Sequence, residues 1–202
     1  MADLTAIALV CTLTPSPGES SSELMARQVL DALGGHGVSG ELVRVVDHDV
    51  KPGVHIDMGA GDAWPGIRQQ VMDADILLIS TPIWLGHTSS IAQRVMERLD
   101  AELSETDDEG RLQTYGKVGV VAVVGNEDGA HHVSAEIMQG LDDVGFSLPA
   151  GAAVYWVGRA MESVDYKDLD APPEKVAATT KSLAANAAHL ARLLAQHPYP
   201  PA

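Results

Sequence analysis

Hydroxyl side chains crowd one short stretch, CTLTPSPGESSS at residues 11–22: Thr12, Thr14, Ser16, Ser20, Ser21 and Ser22. They stand ahead of a segment whose Leu24, Val29, Leu30 and Leu33 share one helical face. The first turn of a helix carries N–H groups without intrahelical acceptors and a partial positive charge. Hydroxyls beside it add donors without adding net charge, which suits a phosphate. The same stretch also reads as a surface loop with an ordinary cap from Ser20, Ser21 or Ser22.

Two further stretches carry candidate chemistry. In TPIWLGHT, Pro82 and Gly86 shape a turn around an apolar wall of Ile83, Trp84 and Leu85. An aromatic ring there can stack on a planar ligand or simply cover a sheet edge. In GNEDGAHH, Gly125 and Gly129 bracket Asn126, Glu127 and Asp128 at a helix start. Glycine permits close backbone approach, and Asn126 with the local amides can meet the polar edge of a heterocycle. The plain alternative is a turn with Asp128 as helix cap. His131 and His132 are sequence neighbours, so on a helix their side chains diverge by about 100°. One metal cannot readily take both, and no metal site is expected.

The elements that must position these turns follow from apolar periodicity. Strands are expected at 5–13, 39–47, 75–80, 117–125 and 151–158, and helices at 21–37, 64–74, 88–103, 130–145 and 172–197, with 198–202 a loose tail on a single domain, 1–197. The valine-rich run 117–125 suits a strand buried on both faces. Strict alternation predicts an α/β fold, a doubly wound five-stranded parallel sheet with helices on both faces. In such sheets ligands sit outside the carboxyl ends of the strands where the order reverses. The three turns then converge as a phosphate cradle beside loops that hold a planar, polar-edged ring, a shape that FMN fits.

The bulk numbers set bounds. The chain has 202 residues, 46% of them apolar, enough for a substantial core. A formal charge of −15 argues against nucleic acid and anionic membrane surfaces as partners, and otherwise serves solubility. No apolar run reaches the ~18 residues of a membrane span. The only cysteine is Cys11, so no disulfide framework forms within the chain. With no basic segment ahead of the first apolar run, a cytoplasmic location is expected.

The hydroxyl-rich first loop, ADILLISTPIWLGHTSSIAQRVMERLD and GKVGVVAVVGNEDGAHH resemble the flavodoxin-like superfamily, in its NAD(P)H-dependent FMN reductase and quinone reductase branch, over nearly the whole chain. The resemblance implies strand order 2-1-3-4-5 and bound FMN. It implies that Thr12, Thr14, Ser20, Ser21 and Ser22 hold the phosphate. Pro82, Ile83, Trp84, Leu85 and Gly86 would line the isoalloxazine and ribityl, and Gly125, Asn126, Glu127, Asp128 and Gly129 would meet the far edge of the ring. It further implies hydride passing from NAD(P)H, as co-substrate, through the flavin to a quinone, a free flavin or a similar small acceptor, with no catalytic side chain named. The first loop departs from the Thr-Gly-x-Thr spacing of short electron carriers, and no iron–sulfur cysteine cluster is present.

A non-enzymatic electron carrier is the alternative reading. A phospho-receiver would end its third strand in an aspartate, where this chain has Ser80 and Thr81. A serine hydrolase would need a G-x-S-x-G elbow that is absent. Tyr155, Trp156, Met161 and Tyr166 cluster around the end of the edge strand, which predicts a homodimer or homotetramer unless residues 158–170 fold back over their own sheet.

Overall fold

The computed structural model describes residues 4–159 and 162–201. β1 (Leu4–Val10) leads into α1 (Ser21–Gly34) and β2 (Val38–Arg44); α2 (Trp64–Asp73) precedes β3 (Ile76–Trp84). A two-residue β4 (His87–Thr88) and α3 (Ser90–Leu99) follow, then β5 (Val118–Gly125), α4 (Ala130–Asp143), β6 (Ala153–Val157) and α5 (Glu174–Gln196).

The main sheet runs β2-β1-β3-β5-β6, all parallel, with β4 paired antiparallel to β3. Leaving β4 aside, this is the expected order 2-1-3-4-5. β4 itself was not anticipated. The sheet's two faces feed separate cores. α1 and α5 bury Met25, Val29 and Leu33 with Leu183, Ala187 and Ala188 on one side. α2, α3 and α4 bury Trp64, Val95, Leu99, Val133 and Ile137 on the other. β5 is buried along both faces from Val118 to Val124, as its valine run requires.

The helix starts follow local chemistry. The Glu23 N–H donates to Ser20 Oγ at 3.3 Å, so Ser20 is the cap of α1. Ser89 caps α3 in the same way, through the Ala92 N–H at 3.1 Å. α4 starts from Gly129 at φ 125° with no side-chain cap, so Asp128 is not one.

Several boundaries moved. β1 ends at Val10, not at residue 13, because the Thr14 N–H turns back onto Thr12 Oγ1 at 3.2 Å. β3 runs through Trp84, past the expected stop at 80, because Pro82 still pairs with Val124 and Trp84 with His87. α3 ends at Leu99 and continues as a 3₁₀ turn over Asp100–Ser104. Residues 104–116 form a surface hairpin closed by the Thr106–Leu112 bridge. The tail expected to be loose is tied at Tyr199, whose carbonyl accepts from Arg111 at 3.0 Å and whose ring lies 5.4 Å from that of Tyr115.

A buried ion pair fastens the long connection after β2. Arg98 Nη1 donates to Asp62 Oδ2 at 2.8 Å, both side chains being fully buried. Its two terminal nitrogens also donate to the carbonyls of Lys51, His55 and Ile56. Burial alone would raise the Asp62 pKa. The Met58, Trp64 and Lys51 amides and the Arg98 guanidinium outweigh it and hold Asp62 at about 2.

Candidate functional site

The carboxyl ends of β1, β3, β5 and β6 open into a cleft of about 320 Å³. Its walls come from distant parts of the sequence: Thr12–Thr14, Glu19–Ser22, Pro82–Trp84, Val124–Glu127, Trp156 and Asp165–Lys167. This is the place where the strand order reverses.

The hydroxyl-rich loop is held from outside. Arg44, at the end of β2, sends Nη1 to the carbonyls of Gly18 (2.7 Å) and Thr14 (3.3 Å). Its Nε and Nη2 engage Glu23 in the first turn of α1. Asp47 accepts from the Ser16 N–H at 2.8 Å and from its hydroxyl at 2.5 Å. The loop therefore arrives pre-shaped, and its hydroxyls line the cleft together with the start of α1. Beneath it, buried Ser80 donates to the Ser22 carbonyl at 2.7 Å and buried Ser89 to the Cys11 carbonyl at 2.5 Å. Ser80 thus ties β3 to α1, and Ser89, the cap of α3, ties that helix to the residue after β1. Burial pushes the Cys11 thiol far up, so it is no nucleophile at neutral pH.

The ring-side loops meet backbone to backbone. Leu85 (φ 52°) and Gly86 (φ 78°) form the two-residue tip of the β3–β4 hairpin, both left-handed, as a type I′ turn requires. A Cβ on Gly129 would lie 2.7 Å from the Gly86 Cα, so only glycine allows this approach. The Gly86 N–H donates to Glu127 Oε1 at 3.3 Å. Trp84 is 54% exposed at the cleft and Leu85 90% exposed beyond it.

The last wall was not anticipated as part of the site. Residues 165–168 fold back over their own sheet. Tyr166 is buried, packs 5.4 Å from the Trp156 ring, and donates to Gln28 Oε1 at 2.6 Å. Asn126 Nδ2 donates to Asp165 Oδ1 at 3.1 Å, and the Lys167 N–H donates to Ser21 Oγ at 3.2 Å. This intrachain packing is the alternative to the edge-strand argument for a neighbouring subunit. Met161, part of that argument, lies outside the described residues.

Of the sequence candidates, Thr12, Thr14, Ser20, Ser21, Ser22, Pro82, Ile83, Trp84, Gly125, Asn126 and Glu127 line the cleft. Leu85, Gly86, Asp128 and Gly129 do not; Gly86 and Gly129 join the two loops behind it. Leu13, Glu19, Val124, Trp156, Asp165, Tyr166 and Lys167 line it without having been singled out as ligands. His131 and His132 diverge as expected: His131 Nε2 meets the Tyr155 hydroxyl at 2.9 Å, and His132 Nε2 meets His87 Nδ1 at 3.3 Å.

The donor set fits FMN. Neutral hydroxyls and helix amides stand at one end, and Pro82, Ile83, Trp84, Val124 and Trp156 give an apolar and aromatic surface at the other. At Gly125 the chain is bare: a Cβ there would sit 2.9 Å from Ile83 Cδ1.

Comparison with known proteins agrees with that fit. Residues 7–162 match the model of the family described as NADPH-dependent FMN reductase. The chain is 34% identical to 8-demethyl-8-aminoriboflavin-5'-phosphate synthase of Streptomyces davaonensis, over 97% of this chain and 80% of that protein. It is 36% identical to the divalent metal cation transporter MntH of Mycobacterium bovis over 82% of this chain, a stretch that is only 25% of that protein. The crystal structure of RosB with bound 8-demethyl-8-formylriboflavin-5'-phosphate superposes with a TM-score of 0.88 at 32% identity, covering 97% of this chain and 82% of that one. No helix among the described residues is long and apolar enough to cross a membrane. The fold is flavodoxin-like and the cofactors are FMN and NAD(P)H. With 156 residues inside the family match, the chain belongs to the NADPH-dependent FMN reductase family and is a flavin-dependent oxidoreductase.

Proposed function

We propose that this protein takes electrons from NAD(P)H onto FMN held in the cleft and hands them to a small acceptor such as a quinone or free flavin. The convergence of the α1 hydroxyls with Trp84 and Trp156 in one cleft carries this reading. Thr12, Thr14, Ser20, Ser21 and Ser22 hold the phosphate with the first-turn amides of α1, whose partial charge favours the anion despite Glu19 nearby. Lys167 adds little free charge there, since it pairs with Asp168 at 2.9 Å. Pro82, Ile83, Trp84 and Trp156 orient the ring and keep water from one part of it. Asn126 and the Gly125–Glu127 backbone address its polar edge. FMN, when bound, supplies the electron-carrying chemistry, so no side chain need act as acid or nucleophile.

One observation favours a second reading. The 34% identity to an aminoriboflavin-phosphate synthase supports a flavin phosphate that enters as substrate and leaves altered. Incubation with FMN and NADPH or NADH, and in a parallel sample with FMN, an amino-group donor and dissolved oxygen as oxidant, separates the possibilities. Nicotinamide oxidation with FMN recovered unchanged supports the reductase. Conversion of FMN to a new flavin, seen by mass, supports the second reading. Tight FMN binding with neither outcome leaves the electron carrier. A homodimer or homotetramer belongs to the same proposal, supported by exposed Trp84 at the cleft, Leu85 at the hairpin tip and Tyr155 on the edge strand. A monomer mass by light scattering with full activity would refute it.

A further inference from the structure

Outside the cleft, three side chains converge on one point. His87, on β4, and His132 and Glu136, one turn apart on α4, bring a ring nitrogen, a ring nitrogen and a carboxylate oxygen together. His87 Nδ1 and His132 Nε2 are 3.3 Å apart; Glu136 Oε1 lies 3.4 Å from His132 Nε2 and 3.6 Å from His87 Nδ1. Zinc binds imidazole nitrogen at about 2.0–2.1 Å and carboxylate oxygen at about 2.0–2.2 Å in a tetrahedron, which sets neighbouring ligand atoms roughly 3.3–3.5 Å apart. The observed triangle has the dimensions of one face of that tetrahedron. The rings meet edge to face at 78°, so the two nitrogens approach without stacking.

We infer that His87, His132 and Glu136 form a binding site for a zinc-class divalent cation, with a water completing the tetrahedron on the solvent side. Two imidazoles and a carboxylate select such ions over Mg²⁺ and Ca²⁺, which prefer all-oxygen shells. All three residues are exposed, so the ion enters without unfolding anything. The site ties β4 to α4. β4 is the return arm of the hairpin that carries Trp84, and α4 begins at the glycine packed on Gly86. Metal binding would therefore fasten the Trp84 hairpin a second time, outside the cleft.

The test uses untagged, chelator-treated protein titrated calorimetrically with ZnCl₂, with Co²⁺ absorption reporting tetrahedral geometry. The expected result is one saturable site per chain, weakened at least tenfold in His87→Ala and in His132→Ala, weakened in Glu136→Gln, and retained in His131→Ala. Zinc at 100 times the parent's Kd should raise the Tm by about 5–10 °C in the parent and by no more than about 3–6 °C in His87→Ala. Absence of a saturable 1:1 site, or a site unchanged in His87→Ala and His132→Ala, would overturn the inference. Each readout is independent of flavin binding and of reductase activity.

Discussion

Arg44→Met would separate the phosphate end of the cleft from the ring end. Arg44 is buried at the end of β2, and its guanidinium holds Glu23 and the carbonyls of Thr14 and Gly18. Methionine keeps much of the stem's volume and removes every donor. Breaking a buried charge pair costs about 3–5 kcal/mol. Here Glu23 keeps Arg27 at 2.7 Å and is 17% exposed, so the lower end, about 3 kcal/mol, applies. For a chain of this size that lowers Tm by about 6–12 °C. The loop also loses two of its carbonyl anchors and must then be ordered by the ligand, at about 1–2 kcal/mol per residue fixed. FMN should bind about tenfold more weakly, since 1.4 kcal/mol is a factor of ten. Riboflavin, which has no phosphate, should bind as before. The assay is flavin fluorescence quenching with both ligands beside a thermal melt. A lower Tm with an unchanged FMN-to-riboflavin preference would refute the role of the loop. An unchanged Tm would refute the anchoring argument itself.

Arg98→Met leaves Asp62 with its three amide donors but no guanidinium, and three carbonyls without their side-chain donor, and should cost about 3 kcal/mol in urea unfolding, with the m-value unchanged. Because Asp62 is held at about 2, below its ordinary 3.8, its contribution is complete above about pH 4 and is lost as pH falls towards 2. Asp62→Asn should flatten that part of the acid-unfolding curve, and an unaltered curve would refute the assignment. Trp84→Ala should weaken FMN binding or shift acceptor choice by about 0.5–1.5 kcal/mol; unchanged affinity and kinetics would leave Trp84 as surface cover. Gly129→Ala puts a Cβ at φ 125° and 2.7 Å from the Gly86 Cα, so it should lower both Tm and flavin affinity, and a silent variant would show that the two loops move apart freely.

Much of the frame was legible because apolar periodicity and glycine punctuation are local signals. The valine run of β5, the serines before α1 and the Gly-Asn turn each declared themselves within ten residues or so. What failed was non-local. Nothing near residue 44 announces that Arg44 reaches Thr14 and Gly18, |i−j| of 30 and 26 away. Trp156, Tyr166 and Lys167 had drawn attention only as possible edge cover or not at all, since their partners Ser21 and Gln28 lie near the other end of the chain. β3 overran its expected end because cross-strand pairing overrode the turn character of Thr-Pro. The His87 and His132 meeting was invisible for a related reason: a 45-residue separation hides any ligand spacing.

The last wall of the cleft has a consequence for the order in which the protein is made. Lys167 reaches Ser21 across 146 residues, and Tyr166 reaches Gln28 across 138. At ribosomal speeds of about 5–20 residues per second, roughly 7–30 s separate the emergence of the phosphate loop from that of its lid. During that interval β1, β2, β3 and β5 can pair while the cleft still lacks Trp156 and Tyr166. The cleft is therefore walled on all sides only after residue 167 has emerged. A nascent polypeptide arrested before Asp165 would hold the residues assigned to the flavin but not the wall that packs on Trp156 and Ser21.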